Sequence, residues 1–336
     1  MIVLTVSIIF SVGFGLIGLR IIQFRGSLDR DVCFHDPLTQ FDPELGWAPI
    51  PSRHVKDAIG DITNNSLGFR SAELDPQRDQ VVLMGDSVAW GYGVNDDQTI
   101  SAYLDPILKP LGSQAVNLAV SGYGFDQHYL FLKRYIDRFD RLKTVILFVC
   151  VVNDFEDTQS NMRYGRSKPL FRFRDEGLQL TNYPVSKYSV RNLLSQSYLF
   201  RKRFDEDSNW DKFFSWIAGD VTMPREETAQ VIKALLRRMD ELIARKGAEF
   251  KIVLMTPKII EVGLTEGYGF FQKLLEQEGY DYLDFPTALE NQGLTVEGLY
   301  PDDDYLHLSP NGSRVVAEIV SRTYFAGEMA GQGAEK

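Results

Sequence analysis

Residues 2–19 (IVLTVSIIFSVGFGLIGL) carry no charge and show no polar face. As a helix this run would rise about 27 Å, close to the ~30 Å hydrocarbon core of a bilayer. Arg20 and Arg25 follow it and can reach a headgroup layer. No A-x-A-like cleavage site ends the run. It therefore predicts an uncleaved transmembrane anchor over 1–25, in preference to a signal peptide or a buried helix. Residues 26–78 lose this simplicity. They are rich in Pro, Gly, Asp and Asn with little periodicity, and predict a tether and an irregular lead-in with short strands at most.

From residue 80 apolar runs alternate with helical stripes. Strands are predicted at QVVLM (80–84), QAVNLAV (114–120), KTVILFVCVV (143–152), KIVLMT (251–256) and near 281–284. The run 143–152 is apolar on both faces, as in a central parallel strand. Helices are predicted around 97–110, over 125–139, from Pro224 to Gly247, over 265–278, and from Ser309-Pro310 to about 325. Residues 155–222 interrupt the alternation and read as an insertion, with a hairpin in LFRFRDEGLQLTN (170–182). Strands alternating with helices predict a three-layer α/β/α sandwich with a central, mostly parallel sheet, spanning 79–330.

Composition narrows the function. The net charge is −10 and the pI about 5.0, which removes the basic field a nucleic-acid binder would carry. Two cysteines, Cys33 and Cys150, do not make a disulfide framework. Nothing basic precedes the anchor, whereas Arg20, Arg25 and Arg30 follow it. By the positive-inside rule this would place the C-terminal side in the cytoplasm.

Ligand sites of open α/β sheets gather at the C-terminal ends of the strands. Here those ends carry Gly85-Asp86-Ser87, Ser121-Gly122 and Asn153-Asp154, and the loop before the last helix carries Asp304-Tyr305-Leu306-His307. A serine hydroxyl becomes a nucleophile when a base takes its proton, and an imidazole does this near neutral pH. The assignment is Ser87 as nucleophile, His307 as base and Asp304 as the group that orients the imidazole. Backbone N–H groups of Ser87 and Gly122, with the Asn153 amide, would form an oxyanion hole.

In the order Ser, Gly, Asn, His, these blocks resemble the SGNH/GDSL hydrolase superfamily. The matching segments are GDSVAWGYGV (85–94), NLAVSGYG (117–124), VVND (151–154) and DYLH (304–307). The resemblance covers residues 80–325 outside the insertion. It departs where the third block usually begins with glycine and this chain has Val151. The segments ELGWAPIPS (44–52) and TNNSLGFRS (63–71) are similar to the lead-in of membrane-anchored members. The resemblance implies a flavodoxin-like sheet, an extracytoplasmic domain and a serine esterase. Its substrate would be an acyl ester, O-acetyl in the first instance, on a carbohydrate or surface polysaccharide. Transfer of the acyl group to a sugar hydroxyl uses the same triad and stays open as an alternative. A catalytically silent glycan-binding module is a third reading, disfavoured because it needs none of Ser87, Asp304 and His307.

No cofactor and no metal are expected. His35, His54 and His128 lack metal-ligand spacing, and the glycines of GYGV and SGYGF complete no dinucleotide fingerprint. Arg163, Arg166, Lys168, Arg172, Arg174, Lys187 and Arg191 in the insertion read as a solvated face, or else as a rim for anionic glycan or lipid headgroups. Trp90 and Tyr92 read as packing residues, or else as the lining of a sugar site.

Overall fold

The computed structural model describes residues 37–164, 166–175, 177–186, 220–258 and 264–333. The expected anchor, Cys33, His35, Lys187 and Arg191 lie outside them. Among the described residues no helix is long and apolar enough to cross a membrane.

The lead-in is more ordered than its composition suggests. It forms two antiparallel hairpins, β1 (Thr39–Asp42) with β2 (Gly46–Pro49), and β3 (His54–Asp57) with β4 (Gly60–Thr63). Leu38, Leu45, Trp47, Ile62 and Phe69 are buried in the main core. From residue 37 onward the lead-in is therefore part of the domain, not a tether. Burial of five large apolar side chains outweighs the weak local propensity of the segment.

The core then begins with β5 (Asp79–Met84), followed by the short helix α1 (Ser87–Trp90), α2 (Ile100–Leu108), β6 (Ser113–Asn117), α3 (Phe125–Tyr135) and β7 (Leu142–Cys150). The insertion starts with α4 (Asp154–Gln159). It continues as two hairpins, β8 (Met162–Arg163) with β9 (Arg166–Ser167), and β10 (Leu170–Arg174) with β11 (Gly177–Thr181). The alternation resumes with α5 (Arg225–Arg245), β12 (Glu249–Met255), α6 (Leu264–Glu278), β13 (Tyr282–Asp284), α7 (Phe285–Asn291), α8 (Pro310–Tyr324) and α9 (Ala326–Gly333).

Five strands make one sheet in the order β6-β5-β7-β12-β13, with every neighbouring pair parallel. Numbered by occurrence, this is 2-1-3-4-5, the flavodoxin-like order. Strand β7 shows why three layers form. Val145, Leu147 and Val149 join the core shared with α3, α5 and α6, while Ile146, Phe148 and Cys150 join the core shared with α2, α7 and α8. A strand alternates its side chains, so a run that is apolar throughout requires a helical layer on each face.

The strand order also sets the position of the site. The chain leaves β5 toward β6 on one side and later returns to β7 on the other. Loops after β5 and β7 thus diverge, and a crevice opens at their C-terminal ends.

Candidate active site

Ser87 lies in that crevice as the first residue of α1. The turn that presents it depends on Gly85, whose φ is +152°. A Cβ there would sit 2.8 Å from both the Ala89 side chain and the Phe148 carbonyl oxygen. Asp86 caps α1 by accepting from the Val88 N–H at 2.9 Å. Burial raises the Asp86 pKa, although hydrogen bonds from Asn153 and Val88 oppose the rise.

His307 enters from the loop before α8. That loop is tied down at several points. The Ser309 hydroxyl donates to the Gly298 carbonyl, the Lys258 N–H donates to the Tyr305 carbonyl, and the Tyr300 hydroxyl donates to the Thr256 carbonyl at the end of β12. The imidazole Nε2 stands 2.9 Å from Ser87 Oγ, and Nδ1 stands 2.7 Å from Asp304 Oδ2. Asp304 Oδ1 accepts the N–H groups of Leu306 (2.8 Å) and His307 (3.0 Å). Burial pushes this carboxyl upward, but those two N–H bonds and the imidazole outweigh it and hold its pKa below the usual range. An ionised carboxylate only accepts, so Nδ1 carries the proton and Nε2 is free to accept from the serine hydroxyl.

The three expected oxyanion donors differ in how they are committed. Among the described residues the N–H groups of Ser87 and Gly122 donate to no protein acceptor. For Ser87 this is the ordinary condition of a first-turn N–H. Gly122 has a φ of +77°, and the ring carbons of Tyr164 lie 3.0 Å from where its Cβ would be. Only glycine fits this pairing of left-handed backbone and close aromatic cover. The Asn153 amide nitrogen, by contrast, donates to Asp86 Oδ2 (3.0 Å) and Asp157 Oδ2 (2.8 Å), and its carbonyl oxygen is buried without a partner. A further acceptor would share one of these protons in a three-centre bond. Val151 needs no glycine, since its φ is not left-handed. Its carbonyl instead faces Gly267 of α6, which has no room for a Cβ.

Around these groups lies a cleft of about 350 Å³, lined also by Trp47, Tyr92, Ser121, Tyr164, Arg166 and Leu306. A larger cavity of about 670 Å³ lies among residues such as Asn64, Glu73, Asp97 and Asp105. It holds no pairing of nucleophile and base, so the smaller cleft is the candidate site. Tyr92 is half-exposed there, whereas Trp90 is buried in the core.

Several residues that shape the site have no motif of their own. Buried Arg70 of the lead-in donates to the carbonyls of Gly91 and Val94 at 2.6 Å, pairs with Asp96 at 2.9 Å and stacks over Trp90. It thereby fixes the segment that follows the nucleophile. Trp47 bonds the Ser121 carbonyl through its indole N–H (3.3 Å). Asp157 and Tyr164 meet the oxyanion side from the insertion. Trp47 and Arg70 fall within the lead-in segments ELGWAPIPS and TNNSLGFRS, whereas no motif marks Asp157 or Tyr164.

Among the described residues, three of the insertion's cations are drawn into ion pairs, and Arg174 is exposed. Arg163 pairs with Asp157, Lys168 with buried Asp126, and Arg172 with Glu227 at 2.7 Å. Of those described, Arg166 lines the cleft, its guanidinium 5.3 Å from the Trp47 ring centroid. No metal-holding group of His, Cys, Asp and Glu occurs among the described residues. His54 lies on the exposed β3–β4 hairpin, and His128 is buried, its pKa pushed down to about 3 by desolvation and by Lys168. Cys150 is a buried free thiol whose pKa is raised well above the ordinary value, mainly by burial.

The chain matches no known family profile and no curated protein. It is similar to several solved structures. One is a member of the lipolytic protein G-D-S-L family from Veillonella parvula, at 12% identity and a TM-score of 0.42, covering 74% of this chain and 98% of that one. A lipase/acylhydrolase from Enterococcus faecalis has 11% identity and a TM-score of 0.40, over 73% and 94% of the two chains. A catalytic mutant of an acetylxylan esterase from Geobacillus stearothermophilus has 14% identity and a TM-score of 0.38, over 73% and 93%.

Proposed function

We propose that this chain is a serine esterase of the SGNH/GDSL type that cleaves an acyl ester through a Ser87 acyl-enzyme. The observation that carries the reading is the unbroken chain Ser87 Oγ, His307 Nε2, His307 Nδ1, Asp304 Oδ2, at 2.9 and 2.7 Å, beside two backbone N–H groups without acceptors. Ser87 Oγ attacks the ester carbonyl carbon as its proton passes to His307 Nε2. The carbonyl oxygen becomes an oxyanion held by the N–H groups of Ser87 and Gly122, with the Asn153 amide as third donor. Collapse of the tetrahedral species breaks the bond to the alkoxy oxygen, and His307 returns its proton to that oxygen. Asp304 stays ionised and stabilises the imidazolium while it exists. Water then attacks the acyl-enzyme by the same steps and regenerates the serine.

The acyl group we assign is O-acetyl, and its carrier a carbohydrate. The half-exposed ring of Tyr92 and the exposed ring of Tyr164 flank the nucleophile, and such surfaces suit the C–H faces of a pyranose. The family resemblance of the sequence points the same way. It also favours an extracytoplasmic domain on a membrane anchor, against the pull of the flanking arginines, and that is the placement we propose. Protease added to intact cells tests that placement, which fails if the domain is protected.

The test of function uses the purified full-length chain and p-nitrophenyl acetate. Acetate release that disappears in Ser87→Ala is expected, and equal inertness of both proteins would sink the reading. With an acetylated glycan the acetyl group should appear in water. Its appearance on a second sugar would make the enzyme a transferase.

A further inference from the structure

Asp157 is a carboxylate that the chemistry above does not use, yet it touches both halves of the oxyanion side. It lies on α4, four residues after Asn153, with its side chain fully buried. Its Oδ2 accepts from the Asn153 amide at 2.8 Å and from the Tyr164 hydroxyl at 3.1 Å, and its Oδ1 accepts from the Arg163 guanidinium. Arg163 and Tyr164 belong to the β8–β9 hairpin of the insertion. Tyr164 has a left-handed φ of 51°, a conformation that a bulky residue keeps only where its contacts impose it. Those contacts are the bond to Asp157 and the packing of its ring against Gly122.

Two consequences follow from the chemistry of these groups. Asp86 and Asp157 together present carboxylate oxygens to one amide, and a carboxylate prefers the N–H₂ edge over the carbonyl. The pair therefore fixes which way the Asn153 amide faces. Loss of Asp157 leaves the amide with one partner and a buried carbonyl oxygen already lacking its own. The same loss frees Tyr164 and Arg163, and with them the ring that covers Gly122.

We propose that Asp157 is a positioning residue for the reaction, holding the Asn153 amide in its donor orientation, and is itself held in place by Arg163 and Tyr164 of the β8–β9 hairpin. The proposal rests on the esterase reading and on Asn153 as an oxyanion donor. It gives the insertion a role: one of its carboxylates, together with Asp86 of the first block, organises the donor that the third block supplies.

The test is a double-mutant cycle on p-nitrophenyl acetate hydrolysis by the full-length chain. Asn153→Ala should lower kcat about a hundredfold, as removal of an oxyanion donor does. Asp157→Asn should lower kcat about tenfold, the usual scale for a group that orients a reacting residue, with KM nearly unchanged. In the Asn153→Ala background, Asp157→Asn should have little further effect, because its target is gone. Multiplicative losses, or wild-type kcat in Asp157→Asn, would overturn the proposal. Tyr164→Phe removes one hydroxyl from an exposed ring and leaves the Arg163–Asp157 pair in place, so it decides the matter if Asp157→Asn does not fold. It should cost about threefold in kcat in the wild type and nothing in Asn153→Ala. Equal losses in both backgrounds overturn the proposal. Absence of any Ser87-dependent turnover overturns the esterase reading itself, and this one with it.

Discussion

Tyr92 lies against the imidazole of His307, with ring centroids 4.4 Å apart and planes 34° from parallel. The contact complements the carboxylate of Asp304. One fixes the edge of the ring and the other its face. An aromatic contact of this kind contributes about 1 kcal/mol beyond the area it buries. Tyr92→Ala should therefore lower kcat/KM on a small aryl ester by about fivefold, and Tyr92→Phe should keep most of the activity. Steady-state kinetics on the two variants checks this.

Asp304→Asn should be far more damaging than its size suggests. An amide can offer N–H to Nδ1, and the imidazole would then take the tautomer whose Nε2–H cannot accept from Ser87. A loss of about 10³–10⁴ in kcat is expected, with the fold intact. Near-wild-type turnover would show that Asp304 does not orient the base.

Asp157 carries a stability signature opposite in sign to that of an ordinary paired carboxylate. Burial is the main cause that raises its pKa from 3.8 to about 7, against the lowering pull of Arg163 and Asn153. The folded state then binds more protons than the unfolded state between these values. Stability contributed by this group is thus present at low pH and falls as pH rises from about 4 to 7. Asp86 and Asp154 are fully buried and are raised too, chiefly by burial, so they add slope of the same sign. Urea unfolding across this window should give a shallower pH dependence for Asp157→Asn than for wild type. An unchanged slope would contradict the assignment.

Lys168 anchors the insertion to the core through a fully buried ion pair with Asp126, and also donates to the carbonyls of Ser160 (3.1 Å) and Pro169 (3.2 Å). Removing one partner leaves an uncompensated buried charge, so Lys168→Met should destabilise the fold by about 3–5 kcal/mol. The double variant Lys168→Met/Asp126→Asn should recover much of that loss. Denaturant midpoints of the three proteins measure both effects.

The parts of the molecule that were legible in the sequence are those set by local periodicity. β7 and α5 announce themselves, because a nine-residue apolar strand and a 21-residue amphipathic helix have few alternatives. The strand-end positions of Ser87, Gly122 and Asn153 follow from the same pattern, and the structure brings them together with His307 and Asp304. Elements held by tertiary contacts were not legible. Helix α1 is four residues long, α7 follows β13 without a break, and α9 carries three glycines. In the lead-in, hairpins form because Trp47 and Phe69 are buried by a core contributed from elsewhere. Arg70 and Asp157 were hidden for a related reason. Arg70 acts on groups about 20 residues or more away, and Asp157 binds Arg163 and Tyr164 of a separate hairpin; no spacing rule encodes those partners.

Ser87 and His307 touch across 220 positions of sequence. The nucleophile is laid down early and the base arrives with the last large helix of the core. During synthesis, which proceeds from the N-terminus, the emerging chain carries a serine with no proton acceptor until nearly all of the domain has left the ribosome. The hydroxyl stays chemically ordinary throughout that interval. Under the proposed mechanism, competence for acyl transfer would report that the whole domain has closed, and a chain cut short anywhere before residue 307 would lack its base.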